Sequence, residues 1–323
     1  MKIDFSTAVG LLKEKDNILI LTHRNPDGDT LGSGFALLRA LKDMGKRARL
    51  INADVIPEKF AYLYEGITQD DFQEEFVVSV DVAEKKLLGD AFLEKYGDRV
   101  NLAIDHHETS RLFAEMTYCE SDSASCCEII YLLIKAMGTP ITKEIADCIY
   151  TGCSTDTGCF KYSNVTPRTH RIAAELIEAG ADHSRINVRM FDTKTMGDFM
   201  LQKMCLDSLE VFGEGKVALI SVSKSMLTQC GVDKSALDAI KPITRQIEGV
   251  EIGITVKEES DGKTGISVRT GESFDASAIC AHFGGGGHMR ASGATVVAND
   301  PQSAIDSCIP LFAEAVNEYK ARV

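Results

Sequence analysis

Asp105-His106-His107 sets one carboxylate and two imidazoles side by side, directly after the apolar residues 102–104. Carboxylate oxygen suits hard divalent cations, and imidazole suits manganese- or zinc-like ions. Ligand, ligand-orienting and proton-transfer roles are all open to such a triplet. A second group, His23, Asp27 and Asp29, has the form H-x-x-x-D-x-D. Gly28 permits a tight turn there, so the two acids could face two ions from one loop. The same stretch also reads as an Asp-Gly turn with incidental acids. Asp81 closes another apolar run and reads first as a helix cap. Asp156 falls in a Thr/Ser/Gly-rich stretch, 151–158, which is expected to be a loop whose hydroxyls could be turn formers. Each stretch alone is ambiguous. Acids placed repeatedly at the ends of apolar runs, with histidines among them, would be costly to bury unpaired. Together they read as the ligands of a two-metal site.

A different chemistry is suggested near the C-terminus. Gly284 to Gly287, followed by His288, offers backbone N–H groups unobstructed by side chains, a concavity suited to phosphate oxygens. It also reads as a flexible glycine loop, since such a run sits in a regular element only at a cost. It lacks the lysine of a Walker A loop and is not G-x-G-x-x-G between a strand and a helix. Arg245 and Arg269 could hold phosphate or carboxylate, or be surface ion pairs.

Elements must exist to position these groups. Apolar runs at 17–21, 47–51, 77–80 and 102–104 read as strands, and three of them deliver the acidic stretches just described. Helical spacing is expected over 5–15, 31–44, 125–136, 143–150 and 167–179, with Gly45 and Gly180 as stops. This alternation favours a parallel sheet with helices on both faces, and such sheets place ligands beyond the carboxyl ends of their strands. A second, smaller mixed α/β part follows, with strands near 217–220, 250–256, 265–269 and 294–297 and helices over 234–240, 276–282 and 301–320. The chain divides accordingly into 1–187, a connecting helix 188–205, and 206–323.

At 323 residues two domains are the expectation, and 44% hydrophobic with 26% charged residues is ordinary for a folded protein with a large core. A formal net charge of −13 excludes a broad phosphate-tracking surface for long nucleic acid, though not a local phosphate site. Ten cysteines show no paired C-x-x-C spacing and read as small core residues. No signal peptide stands out and no apolar stretch approaches the ~20 residues that span a bilayer. A cytoplasmic protein with free thiols and no membrane partner is expected.

The four acidic stretches, in order and joined to the glycine run with Arg290-Ala291-Ser292-Gly293 after it, resemble the DHH phosphoesterase superfamily with its DHHA1 substrate-binding domain. Chain length is similar to its stand-alone oligoribonuclease and pAp phosphatase group. The resemblance implies an α/β architecture: a Rossmann-like DHH domain with a parallel sheet, a smaller mixed α/β DHHA1 domain, and a cleft between them. It implies two manganese ions, with magnesium or cobalt as substitutes. His23, Asp27 and Asp81 would hold one; Asp29, Asp81, His106 and Asp156 the other, with Asp81 bridging. His107 would face the scissile phosphate and Asp105 would orient the histidines. Gly285, Gly286, Gly287, His288 and Arg269, with Arg245 less directly, would grip the rest of the substrate. Expected substrates are short single-stranded RNA and 3′-phosphoadenosine 5′-phosphate (pAp), with a homodimer as an open assembly state. Cyclic or linear dinucleotides are the alternative substrates. A non-catalytic nucleotide sensor should have lost ligands, and every ligand position here carries Asp or His.

Overall fold

The computed structural model describes residues 1–107, 110–259 and 263–297, with Ser303, Asp306 and Pro310. It divides the chain into two units, Met1–Thr193 and Lys194–Val323.

In the first unit, α1 (Phe5–Glu14), β1 (Ile18–Leu21), α2 (Gly28–Asp43), β2 (Ala48–Ile51), β3 (Phe76–Val80), α3 (Asp90–Tyr96), β4 (Leu102–Asp105) and β5 (Met116–Cys119) follow one another. Then come α4 (Cys126–Met137), α5 (Lys143–Asp156), α6 (Pro167–Glu178) and α7 (His183–Asn187). The five strands form one parallel sheet in the order β2-β1-β3-β4-β5. Strand alternation explains why both faces must be covered. Ile18 and Ile20 of β1 pack into one core with α1, α2, α4, α5 and α6, while Leu19 and Leu21 pack into another with Tyr96 of α3, Leu88 and Val100. These side chains are fully or almost fully buried, each contributing about 1.5–3 kcal/mol when withdrawn from water. The order reverses direction beside β1, so β1, β3 and β4 end together on the side where a doubly wound sheet opens.

The second unit contains α8 (Met196–Asp207), β6 (Glu210–Phe212), β7 (Val217–Val222), α9 (Lys224–Cys230), α10 (Leu237–Ile240), β8 (Ile252–Glu258) and β9 (Lys263–Thr270). It continues with α11 (Ala276–Ala281), β10 (Gly286–His288) and β11 (Ala291–Val297). Its sheet, β10-β11-β9-β8-β7-β6, is antiparallel except where β7 lies parallel to β8. One face packs on α11 and the other on α8, α9 and α10.

The boundary at Thr193 falls inside the segment 188–205 expected as one connecting helix. Val188–Asp192 is instead a π-helical turn, anchored to the first unit where Arg189 donates to Glu58 O at 3.2 Å and lies over the Tyr62 ring. The chain becomes α-helical only at Met196, after Thr195 caps α8 with Asp198 in a capping box. The glycine run was expected to stay outside regular elements, yet Gly286–His288 forms β10. The hairpin with β11 demands glycine, since a Cβ on Gly285 would lie 2.3 Å from Gly293 O. The helix expected over 301–320 lies outside the described residues, apart from Ser303, Asp306 and Pro310, which are helical. Among the described residues no helix is long and apolar enough to cross a membrane.

Candidate metal centre

The ends of β1, β3 and β4 and two helix termini bring His23, Asp27, Asp29, Asp81, His106, His107 and Asp156 together. Three sets of their side-chain atoms lie within 4.8 Å of one another: His23, Asp27 and Asp81; Asp29, His106 and Asp156; and Asp81, His106 and His107.

Beyond β1 the chain carries His23 on a segment fastened from β2's side. Asn52 Nδ2 donates to Thr22 Oγ1 at 2.6 Å and to His23 O at 2.8 Å, and Asn25 N–H donates to Asp54 Oδ2 at 2.7 Å. Asp27 caps α2, accepting from Asp29 and Thr30 N–H at 3.0 Å each. Asp29, in the first turn of α2, is 1% exposed. Its carboxylate accepts from Cys127 N–H at 2.9 Å and Cys126 N–H at 2.7 Å, the first turn of α4. A helix N-terminus is a favourable seat for an anion. Asp81 follows β3 with φ +57, a left-handed conformation that costs on the order of 1–3 kcal/mol outside glycine. It does not cap a helix; it is 3% exposed, and its Oδ1 has no hydrogen-bond partner.

Asp156 is the last residue of α5 and does not lie in a loop. The hydroxyls that suggested turns bond back to the helix: Thr151 to Asp147 O at 2.7 Å, Thr155 to Thr151 O at 2.8 Å and Thr157 to Cys153 O at 2.5 Å. This helix runs against α2 at very short range. A Cβ on Gly32 would lie 2.4 Å from Cys148 O, and one on Gly152 would lie 2.1 Å from Cys127 Sγ and 2.7 Å from Asp29 Oδ1. Close glycine contact thus sets Asp29 and Asp156 side by side.

The histidines are oriented as metal ligands are. His23 Nδ1 faces Arg24 O at 2.8 Å and His106 Nδ1 faces Ser123 O at 3.1 Å. A carbonyl accepts only from N–H, so Nδ1 carries a proton and Nε2 is the nitrogen left facing the carboxylates, the one a cation would take. His23 Nε2 lies 3.6 Å from Asp27 Oδ1 and 3.6 Å from Asp81 Oδ2. His106 Nε2 lies 3.6 Å from Asp81 Oδ1 and 3.7 Å from both Asp29 Oδ2 and Asp156 Oδ2. These gaps exceed a hydrogen bond. Two ligands each about 2.0–2.2 Å from one cation stand roughly 3.0–3.6 Å apart at octahedral to tetrahedral angles. The orphaned Asp81 Oδ1 and the mixed oxygen–imidazole donors therefore fit divalent cations, with Asp81 turning one oxygen to each group.

Protonation reflects the same demand. Burial pulls His23 down, but the carboxylates of Asp27 and Asp81 outweigh it and carry it from 6.5 up to about 11. Burial, with Asp81, Asp156 and Asp27 nearby, pushes Asp29 well above the carboxylate range. Burial pushes Asp156 to about 6, with Asp81 and Asp27 adding and His106 opposing. Without cations, these groups retain protons that a metal would displace.

Asp105 is fully buried and accepts from His107 Nδ1 at 2.8 Å and from His106 N–H at 2.9 Å. That hydrogen bond, against burial and with help from Asp81, raises His107 from 6.5 to about 9. A pKa raised on folding favours the folded state while the group is protonated. In metal-free protein this pair therefore contributes fully below pH 6.5, and its contribution fades as pH rises through about 9. Asp105→Asn is expected to return His107 toward 6.5 and remove that segment of the stability profile, read by NMR titration and melting of chelated protein. A His107 titration unchanged in the variant would detach it from Asp105.

In the second unit His288, Ala291, Arg269 and Gly253 share one cross-strand row of register. The His288 side chain lies outside the described residues. Gly284 and Gly285 N–H are donated to Ala281 O at 3.0 Å and Cys280 O at 2.9 Å, closing α11. Arg245 donates to Val250 O within its own turn. Sequence reasoning missed Ser123 O and the Cys126 and Cys127 N–H groups, because backbone donors and acceptors leave no mark on residue type.

The DHH family, N-terminal domain, matches residues 17–153, and the DHHA1 domain matches residues 216–320. The bifunctional oligoribonuclease and PAP phosphatase NrnA of Thermus thermophilus is 30% identical over 310 residues, covering 94% of this chain and 90% of that protein. The Bacillus subtilis protein of the same name is 25% identical over 296 residues, 88% of this chain and 91% of that one. An exopolyphosphatase-related protein from Bacteroides fragilis superposes with a TM-score of 0.85 at 25% identity, over 98% of this chain and 96% of its own.

Proposed function

Given that the chain belongs to the DHH family, with a DHHA1 domain after its DHH domain, we propose that it is a metal-dependent phosphoesterase. Its substrates are RNA oligomers of a few nucleotides, cut to mononucleotides, and pAp, converted to AMP. The observation that carries this reading is Asp81, whose two oxygens serve two ligand groups at once. Relatives named for oligoribonuclease and PAP phosphatase activity support the choice of substrate.

His23, Asp27 and Asp81 would hold one cation, and Asp29, Asp81, His106 and Asp156 the other. Two divalent cations, manganese on this reading with magnesium or cobalt as substitutes, supply Lewis-acid polarisation of phosphoryl oxygens and a more acidic attacking water. Four ligand carboxylates match the charge of two dications, so the overall −13 does not bar phosphate from the site. His107, its Nδ1 proton held by Asp105, turns Nε2 toward the reacting phosphate as a hydrogen-bond donor. Arg269, Gly286, Gly287 and His288 are the groups proposed to hold the non-scissile phosphate and base. Gly285 and Arg245 belong to the same proposed grip, with the Gly285 N–H given to Cys280 O and Arg245 Nη1 to Val250 O.

Four substrates compared side by side test the proposal: an RNA trimer, pAp, pApA and c-di-AMP, after chelation and again with Mn²⁺ restored. Trimer and pAp are expected to turn over rapidly with the metal and not without it, while c-di-AMP is barely touched. Preferred cleavage of c-di-AMP or pApA moves the chain to dinucleotide substrates. Turnover that survives chelation overturns the metal reading.

A further inference from the structure

Residues 120–128 reach the group Asp29, His106 and Asp156 by three separate hydrogen-bond routes. Ser123 O accepts from His106 Nδ1 at 3.1 Å. Cys126 and Cys127 N–H hold both oxygens of Asp29 at 2.7 and 2.9 Å. Asn164 Nδ2 donates to Ala124 O at 2.9 Å and to Asp156 O at 3.2 Å, tying the same segment to the end of α5.

Arg168, in the first turn of α6, fastens this segment to itself. Its Nε donates to Glu128 Oε2 at 3.1 Å, its Nη2 to Ser123 Oγ at 2.7 Å and its Nη1 to Glu120 Oε1. Glu128 is fully buried on α4, and its other oxygen has no hydrogen-bond partner, so the guanidinium supplies the cation that this carboxylate needs. Three donations from one rigid planar fork fix both distance and orientation, which a lysine ammonium does not reproduce. The other ligand group is held differently. His23 Nδ1 bonds to the adjacent Arg24 O and Asp27 caps its own helix, both local contacts remote from residues 120–128 in sequence.

We infer that Arg168 is a positioning residue that sets the affinity of one ion, the one held by Asp29, His106 and Asp156, and leaves the other alone. It never touches a ligand. It acts by holding the Ser123 carbonyl that orients His106 and the α4 turn that seats Asp29, direct partners of ligands that are each worth about ten- to hundredfold in metal affinity.

The inference rests on the two-ion reading, and Mn²⁺ titration of the full chain by calorimetry and EPR tests the two separately. Wild type is expected to take two ions. In Arg168→Met, one affinity is expected to fall about ten- to hundredfold while the other holds. Arg168→Lys should recover only part of the loss. Arg168→Met combined with Glu128→Gln removes the unpaired buried charge, so it should regain the thermal transition and keep the weakened ion. If the double variant regains wild-type affinity as well, Arg168 merely neutralises Glu128 and the inference fails. Equal weakening of both ions also overturns it. Fewer than two ions on the wild type instead overturns the two-ion reading, and the inference falls with it.

Discussion

Asp81→Asn is expected to abolish hydrolysis of short RNA and pAp while leaving the fold in place. The amide keeps the size of the carboxylate, and asparagine tolerates the left-handed conformation at φ +57 as aspartate does. What disappears is the anionic oxygen 3.6 Å from His106 Nε2 and its twin 3.6 Å from His23 Nε2. If each ion loses at least what an outer partner is worth, ten- to hundredfold, the combined loss is roughly a hundredfold at the least and up to about ten thousandfold. Steady-state turnover at a fixed Mn²⁺ concentration just sufficient for wild type measures this, and the shift of the melting temperature on adding Mn²⁺ gives an independent reading. Ligand that binds only the folded state raises stability, so wild type should gain in melting temperature and the variant should gain little. A loss confined to the range of an outer partner would remove Asp81 from the shared position.

The second large effect is structural and replaces no ligand. Gly152→Ala would push a methyl to 2.1 Å from Cys127 Sγ, 2.9 Å from Cys127 Cβ and 2.7 Å from Asp29 Oδ1. None of these can yield cheaply, because Cys127 is fully buried and its N–H seats Asp29. Overpacking of this kind costs about 1–3 kcal/mol. For a unit of this size each kcal/mol is worth about 2–4 °C, so the transition should fall by several degrees. Metal affinity should fall with it, since whichever way the clash resolves, Asp29 or the first turn of α4 moves. Adding Cys127→Ala removes the sulfur at the shortest contact and should restore most of the melting temperature. An unchanged transition in Gly152→Ala would show that the two helices have slack between them.

Much of the site was legible because every acid in it but Asp156 follows an apolar strand, and that signal is linear in sequence. Ile18–Leu21, Phe76–Val80 and Leu102–Asp105 announce themselves by composition, and what stands at their ends is then a short list. Asp156 was placed in a loop because Thr, Ser and Gly usually mark one. Inside α5 those hydroxyls bond to the preceding turn, and the glycine is required by the neighbouring helix, so tertiary contact overrode composition. Strand β5 escaped notice because Met116–Cys119 has no run of apolar residues and shows its strand nature only by pairing with β4. The glycines of β10 misled for the same reason as those of α5: their partner, Gly293, is not adjacent in sequence. Arg245 reads from its type as a phosphate or carboxylate group or a surface ion pair, and the bond from its Nη1 to Val250 O is a backbone contact that residue type does not announce.

Every residue assigned to the cations lies before Thr193, and every residue proposed to grip the remainder of the substrate lies after it. Under the proposed function, bond breaking and substrate choice are thus written on separate stretches of one gene. Substitutions in the later stretch can retune which phosphoester is taken without altering a single metal ligand. A lineage built this way can drift among oligomers, dinucleotides and mononucleotide phosphates while its hydrolytic apparatus stays under unchanged selection.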